Sequence, residues 1–386
     1  MLASTVRVTR DLDLAEEAVQ DAYVKALRSW AAEGVPARPG AWLTTAARHN
    51  ALNALQRQRT LTSKLPLLVM PAEAEEPDIP DDRLRLVFTC CHPALALEAQ
   101  IALTLRLVCG MATPEVARAL LVSEPTMAAR ITRAKKKIAV ARIPYVVPSA
   151  EHRPARVGAV LTVIHLLYSA GHTAAAGPEL RRDDLGERAL DLARMLRLLL
   201  PREPEVAGLL ALLLIHDARR SGRVDAAGRL VRLEEQDRGG WDRGAIAEAD
   251  HLITSALAAA PPGRFTLQAA IAALHAEAAA YEETDWPQIR LLYDRLLEIW
   301  PSPVVALNRA VAVSMVDGPA AALAIVADLE RDGRLAAYHY LPATKADLLR
   351  RLDRRDEASA AYAAALSLTA NDAERRFLAA RIDELG

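Results

Sequence analysis

Helical periodicity constrains this chain more than any other feature. Across most of its 386 residues, apolar side chains recur three and four apart, and Gly/Pro clusters separate the periodic stretches. Strand-like alternation is sustained nowhere. Aromatic residues make up only 4%, and Ala, Leu and Val carry the apolar content, which packs helices better than β-sandwich cores. The expected fold class is all-α. Three cysteines, the adjacent Cys90 and Cys91 and the distant Cys109, offer no disulfide framework and fit a reducing compartment. The longest apolar run, Val206 to Ile215, spans ten residues, where a membrane helix needs ~20. Met1 to Arg10 carries two arginines and no apolar stretch of signal-peptide length. A cytoplasmic protein without membrane contact is expected.

Charge is informative in its distribution and not in its sum. The 48 Lys+Arg and 49 Asp+Glu leave -1, which excludes a uniformly basic nucleic-acid coat but not local patches. Residues 1–60 read as helices interrupted by a turn-rich Glu33 to Gly40. Residues 61–83 form an acidic linker with Pro66, Pro71, Pro77 and Pro80 among Glu73, Glu75, Glu76, Asp78, Asp81 and Asp82. Residues 84–145 read as a helical domain. Within it Thr113 is placed to cap a helix beginning at Pro114, Val122 falls in a turn, and Ser123 caps a second helix with Pro125 in its first turn. Val116, Ala117, Leu120, Met127 and Ile131 can close the angle between the two, which is helix-turn-helix geometry. The second helix carries Arg130, Arg133, Lys135, Lys136, Lys137 and Arg142, with no acid from Ala128 to Arg142. Its start can reach base edges in a major groove and its basic tail can hold phosphates.

Residues 150–386 are Ala/Leu-rich and helical, with a weak repeat. Ile289, Tyr293 and Leu296 precede Ala322, Val326 and Leu329 by 33 residues, and Ala358, Tyr362 and Ala365 follow by 36. Ala189, Ala193 and Leu196 lie 37 residues before Ala226, Leu230 and Leu233. Such periods suit a tetratricopeptide-like solenoid; an irregular helical bundle also accommodates them.

Two ordered stretches resemble the extracytoplasmic-function sigma factors of bacterial RNA polymerase. DLDLAEEAVQDAYVKALRSW (Asp11 to Trp30) with PGAWLTTAARHNALNALQRQR (Pro39 to Arg59) is similar to sigma region 2, and Leu95 to Ile138 to sigma region 4. The remainder looks like the extension of the subgroup with a long tetratricopeptide-like C-terminal domain. The resemblance implies that Glu17, Gln20, Asp21 and Val24 dock on core RNA polymerase. It implies that Trp42, Arg48, His49, Asn50 and Asn53 meet the melted minus-ten element of promoter DNA. Ser123, Thr126, Met127, Arg130, Arg133, Lys135 and Lys136 would then read the minus-thirty-five element, and the acidic linker would thread polymerase channels. The family has an Asp where Asn53 stands and basic residues near Ala54 and Gln56, so weaker promoter binding or melting is expected. It also has a helix ahead of Val6, for which only Met1 to Thr5 remain, so either a start upstream of Met1, the favoured reading, or a region 2 lacking a packing helix is expected.

Other motifs point to structure. Cys90-Cys91-His92 with Cys109 lacks paired metal-ligand spacing, and core packing is expected. No nucleophile elbow or phosphate loop occurs, so neither an enzyme nor a cofactor is expected. His216, inside the apolar run, is expected to be a satisfied core residue. Trp241 in EQDRGGWDR fits a buried turn residue with ion pairs, or a contact for a ligand or partner. The function implied is a sigma factor regulated by its helical extension, which a protein partner would contact; next in order stands a helix-turn-helix regulator with a repeat sensor domain.

Overall fold

The helical periodicity is realised. The computed structural model describes residues 1–62, 82–120, 122–149, 151–174, 176–225 and 228–385, and eighteen α-helices dominate them. Most of the expected acidic linker lies outside the described residues. The chain divides into two compact units, Met1–Val163 and Ile164–Gly386.

Unit 1 begins with α1 (Leu2–Thr9), α2 (Leu12–Glu33) and α3 (Pro39–Thr62). Asp11 starts α2 by accepting hydrogen bonds from the backbone N–H groups of Asp13 (2.8 Å) and Leu14 (3.0 Å). Ala15, Ala18, Ala22 and Ala26 form a fully buried row along α2, and Ala47 and Ala51 on α3 are buried too. Side chains this small let two backbones approach closely, which leaves the opposite face of α2 outside the core.

Next come α4 (Asp82–Cys90), α5 (Leu97–Leu103), which runs into a π-helical turn at Thr104–Val108, α6 (Thr113–Ala119) and α7 (Glu124–Val140). Leu84, Phe88, Cys90, Leu103 and Leu105 are buried together with Met127. Burial pushes the Cys91 thiol up to about 11 and Cys90 well above its ordinary value, so both are packing residues. The Tyr145 hydroxyl is shared between the carbonyls of Ala3 (2.7 Å) and Asp82 (2.9 Å), tying α1 to α4. One expectation needs correction. Thr113 is the first residue of α6 and does not cap it; the Glu115 carboxylate instead accepts from the Ala112 N–H at 2.6 Å.

Helix α8 (Arg153–His172) ends unit 1 and begins unit 2. Unit 2 continues with β1 (Ala176–Gly177), α9 (Asp183–Leu199), α10 (Pro204–Ala218), α11 (Arg243–Ala259) and α12 (Arg264–Glu277). The apolar run is α10, buried at every position from Val206 to Ile215, as a helix that is hydrophobic all round must be. It meets α12 at Gly208, where an added Cβ would stand 2.5 Å from the Thr266 hydroxyl and 2.6 Å from its backbone nitrogen. Beside this contact Glu205 accepts from the N–H groups of Phe265 and Thr266 and from the Thr266 hydroxyl. A carboxylate from one helix thus satisfies the first turn of the other.

Three helical hairpins follow: α13 (Trp286–Ile299) with α14 (Pro303–Val316), α15 (Pro319–Asp332) with α16 (Tyr340–Arg351), and α17 (Arg355–Leu368) with α18 (Asp372–Asp383), β2 (Ala370–Asn371) lying just before α18. The offsets of 33 and 36 fall on α13, α15 and α17, and eight of the nine repeat residues are buried, Tyr293 being half-buried. The upstream repeat fails. Ala189, Ala193 and Leu196 are buried in α9, but Leu230 and Leu233 lie among short turns with an isolated bridge between Val224 and Leu230, and Ala226 lies outside the described residues. Gly228 with a positive φ and the turn-forming Asp225 break the helical register there.

Trp241 is buried, with the Arg219 and Arg238 guanidinium groups 5.3 and 5.0 Å from its ring. This matches the structural reading of its turn. His216 departs from expectation. It is half-buried on a cavity wall, and its Nδ1 has no hydrogen-bond partner among the described residues. The end of unit 2 is fastened to its beginning by parallel pairing of Ala176 with Ala370 and Gly177 with Asn371. Asn371, fully buried, donates to the carbonyls of Ala174 (3.0 Å) and Glu179 (2.8 Å) while its side-chain oxygen caps α18.

Candidate nucleic-acid and polymerase interface

The buried alanine row dictates the outer face of α2. Glu17, Gln20, Asp21 and Val24 are all exposed on it. Val24 is 45% and Leu27 76% exposed, so an apolar pair at i, i+3 is left in water beside two carboxylates and an amide. Single exposed apolar residues are ordinary, but this arrangement fits a helix that docks on a partner. Leu27 was missed in the sequence although helical spacing from Gln20 and Val24 points to it.

On α3, Arg48, His49 and Asn53 are exposed, whereas Trp42 and Asn50 are partly committed elsewhere. The Trp42 ring packs edge-on against Trp30 with centroids 5.4 Å apart. The Asn50 amide donates to the Ala18 carbonyl at 3.2 Å. That bond gives a carbonyl in the middle of α2 a second donor and makes Asn50 a fastener between helices.

The helix-turn-helix is formed by α6 and α7. Ser123 caps α7: its hydroxyl accepts from the Thr126 N–H and lies 2.8 Å from the Thr126 hydroxyl. Ser123, Thr126, Arg133 and Lys136 are exposed and Arg130 is half-buried. Met127 is completely buried and is a correction: its apolar side chain closes the angle between α6 and α7 and does not reach the surface.

Lys135 is also not free. Its ammonium pairs with Asp13 at 2.8 Å and with Glu16, and Glu16 in turn meets the Arg106 guanidinium at 2.8 Å. Burial would lower the Lys135 pKa, but hydrogen bonds and charge from Asp13 and Glu16 outweigh it and hold it above its ordinary value. A groove of about 340 Å³ lies at this junction, bordered by Glu17, Gln20, Thr132 and Lys135. The fold therefore brings Glu17 and Gln20, two of the α2 residues expected to dock, beside one basic residue of α7, while Arg48, His49 and Asn53 are not among its lining residues.

Comparison with known families fits this division. Residues 2–60 match the model of Sigma-70 region 2, residues 85–138 that of Sigma-70, region 4, and residues 156–257 a family of unknown function (DUF6596). An uncharacterized protein of Rhizobium meliloti (strain 1021) is 43% identical over 394 residues, covering 100% of this chain and 93% of its own length. No solved structure matches. Among the described residues, no helix is long and apolar enough to cross a membrane.

Proposed function

This chain belongs to the sigma-70 family as an extracytoplasmic-function-like sigma factor with a C-terminal extension, and we propose that the exposed faces of α2, α3 and α7 divide polymerase docking and promoter reading between them. Acting in promoter recognition, it needs one surface for core RNA polymerase and two for DNA. In this reading, Glu17, Gln20, Asp21 and Val24, extended by Leu27, dock on polymerase. Arg48, His49 and Asn53 meet the melted minus-ten strand, where bases are captured out of the stack and phosphates neutralised. Thr126, Arg130, Arg133 and Lys136 read and hold the minus-thirty-five duplex. The observation carrying this reading is that each set lies on a separate helix with Glu17, Gln20, Asp21 and Val24, then Arg48, His49 and Asn53, then Thr126, Arg133 and Lys136 exposed, while the alanine row of α2 and Met127 and Ile131 of α7 are buried.

Lys135 joins the DNA set only after leaving Asp13 and Glu16, so promoter binding through all of α7 competes with the α2 ion pairs. The extension regulates the outcome, through a protein partner or a ligand. Run-off transcription with core polymerase tests the whole: promoter-specific transcripts are expected, and their absence with a full-length native chain overturns it. Arg130→Ala should weaken promoter binding by ~1 to 3 kcal/mol if it meets a base edge; unchanged affinity removes it from the site. Contact with ~4 to 6 phosphates makes binding fall as roughly the fourth to fifth power of salt concentration.

A further inference from the structure

One cavity of unit 2, walled by aromatic rings, belongs to none of these surfaces. It has a volume of about 460 Å³, within the range of small-molecule sites. One wall comes from α8 and α10. There Tyr168 stacks on His172 (centroids 5.7 Å), and His172 meets His216 edge-on (5.2 Å). The other wall comes from the segment entering α16, where Tyr338 and Tyr340 lie 5.2 Å apart and His339 is 4.0 Å from Tyr340. The two walls are about 120 residues apart in the chain, and the β1–β2 pairing with the Asn371 hydrogen bonds ties the C-terminal segment back to the α8 end.

One carboxylate closes the cavity. Glu374, 5% exposed, accepts from the Tyr340 hydroxyl at 2.6 Å and the Thr369 hydroxyl at 2.7 Å, and His339 Nε2 stands 3.2 Å away. Burial pushes its pKa up, but these hydrogen bonds outweigh burial and hold it below the usual carboxylate value. On the opposite wall, burial lowers His165 to about 4 and His172 and His216 well below their ordinary value. These three imidazoles are neutral at pH 7. Arg223 stands behind the wall, donating to the His172 carbonyl and to the Thr173 hydroxyl, and is not among the lining residues.

The cavity thus presents facing aromatic rings and a pre-oriented anion with lone pairs to spare. A carboxylate accepts at about four sites, and Glu374 receives two hydroxyl donors with His339 Nε2 as a third neighbour at 3.2 Å. We propose that this cavity binds a flat, nitrogen-rich small molecule of the amidine, guanidine or amino-heterocycle class. Its face would stack on the tyrosines and its N–H groups would donate to Glu374, while a ligand anion would meet Glu374 unfavourably in a water-poor site. Ligand binding would lock the C-terminal segment onto α8. The site stands independently of promoter recognition.

Benzamidine and benzoate, flat probes of equal shape and opposite charge, test it by isothermal titration and NMR of the full-length chain. Saturable one-to-one binding of benzamidine is expected, with benzoate at least tenfold weaker. Glu374→Gln should abolish the preference. Because that change touches a buried network, Leu368→Trp is the second variant: Leu368 lines the cavity yet is 41% exposed, so a bulky ring there should block binding without altering the melting temperature. Equal binding of both probes, no saturable binding, or benzamidine binding unaffected by Leu368→Trp overturns the proposal.

Discussion

Two charged centres in this protein are built in opposite ways. In unit 1, Lys135 meets Asp13 and Glu16 between helix surfaces; the Asp13 side chain is 76% exposed and the pair borders an open groove. In unit 2, Glu374 is enclosed, held by two hydroxyls, and reached only because Asn371 docks the C-terminal segment on the loop after α8. Water reaches the first centre through Asp13, although Lys135 and Glu16 are only 12% and 13% exposed, and it is nearly excluded from the second. The first borders an open groove through which Lys135 can leave Asp13, as the proposed DNA contact would require, whereas the second is fixed by the fold around it.

That contrast can be broken most directly at Asn371. Asn371→Leu leaves the Ala174 and Glu179 carbonyls unpaired and removes the α18 cap, so a loss of about 3 kcal/mol is expected in denaturant unfolding. Hydrogen exchange should quicken at the start of α18 and leave α2 and α3 protected. Equal loosening of α2 would mean that the tie is not local to unit 2. Gly208→Ala tests the same rigidity at the α10–α12 contact. A Cβ 2.5 Å from the Thr266 hydroxyl forces the helices apart, at about 1–3 kcal/mol; an unchanged melting temperature would show that the contact yields.

Acid should act on unit 2. His165 titrates near pH 6.5 when unfolded and about 4 when folded, so between these values the unfolded chain binds the extra proton. Stability is full above about pH 6.5 and falls as pH drops toward 4. Urea unfolding at pH 7 and pH 5 should show the loss, and His165→Phe should reduce it; an identical slope in the variant would remove His165 as a cause. The smallest effect is expected at the open centre. Lys135→Met should cost about 1–2 kcal/mol, because Glu16 keeps the Arg106 guanidinium as a partner, and the loss should shrink in high salt. A loss as large as that of Asn371→Leu would make the two centres alike.

The sequence shows most of what unit 1 leaves exposed on the helices proposed as its interfaces. Each interface set lies within one helix, so spacing alone separates Glu17, Gln20, Asp21 and Val24 from the buried alanines, and Ser123 declares the start of α7. Errors arose where a side chain's role depends on another helix. Met127 and Asn50 occupy plausible interface positions, but one is enclosed by the unit's core and the other spans to Ala18. In unit 2 the 33- and 36-residue offsets are legible because identical hairpins bury the same face each time. The broken repeat after α10 was misleading, since small and apolar residues also occur in turns.

Helical content, the two sigma regions, the basic run of α7 from Arg130 to Lys137 and the three C-terminal hairpins are properties of local pattern, and the sequence by itself determined them. The commitment of Lys135 to α2, the exposure of His216 to a cavity instead of a packed core, and the meeting of Tyr168 and His172 with Tyr340 and Glu374 were decided only by the tertiary structure. The physical reason is range. Helix periodicity is set by neighbours three and four residues away, whereas Lys135 and Glu16 meet across 119 residues and the two walls of the cavity bring His172 and Tyr340 together across 168. Nothing in the chain between them signals the encounter.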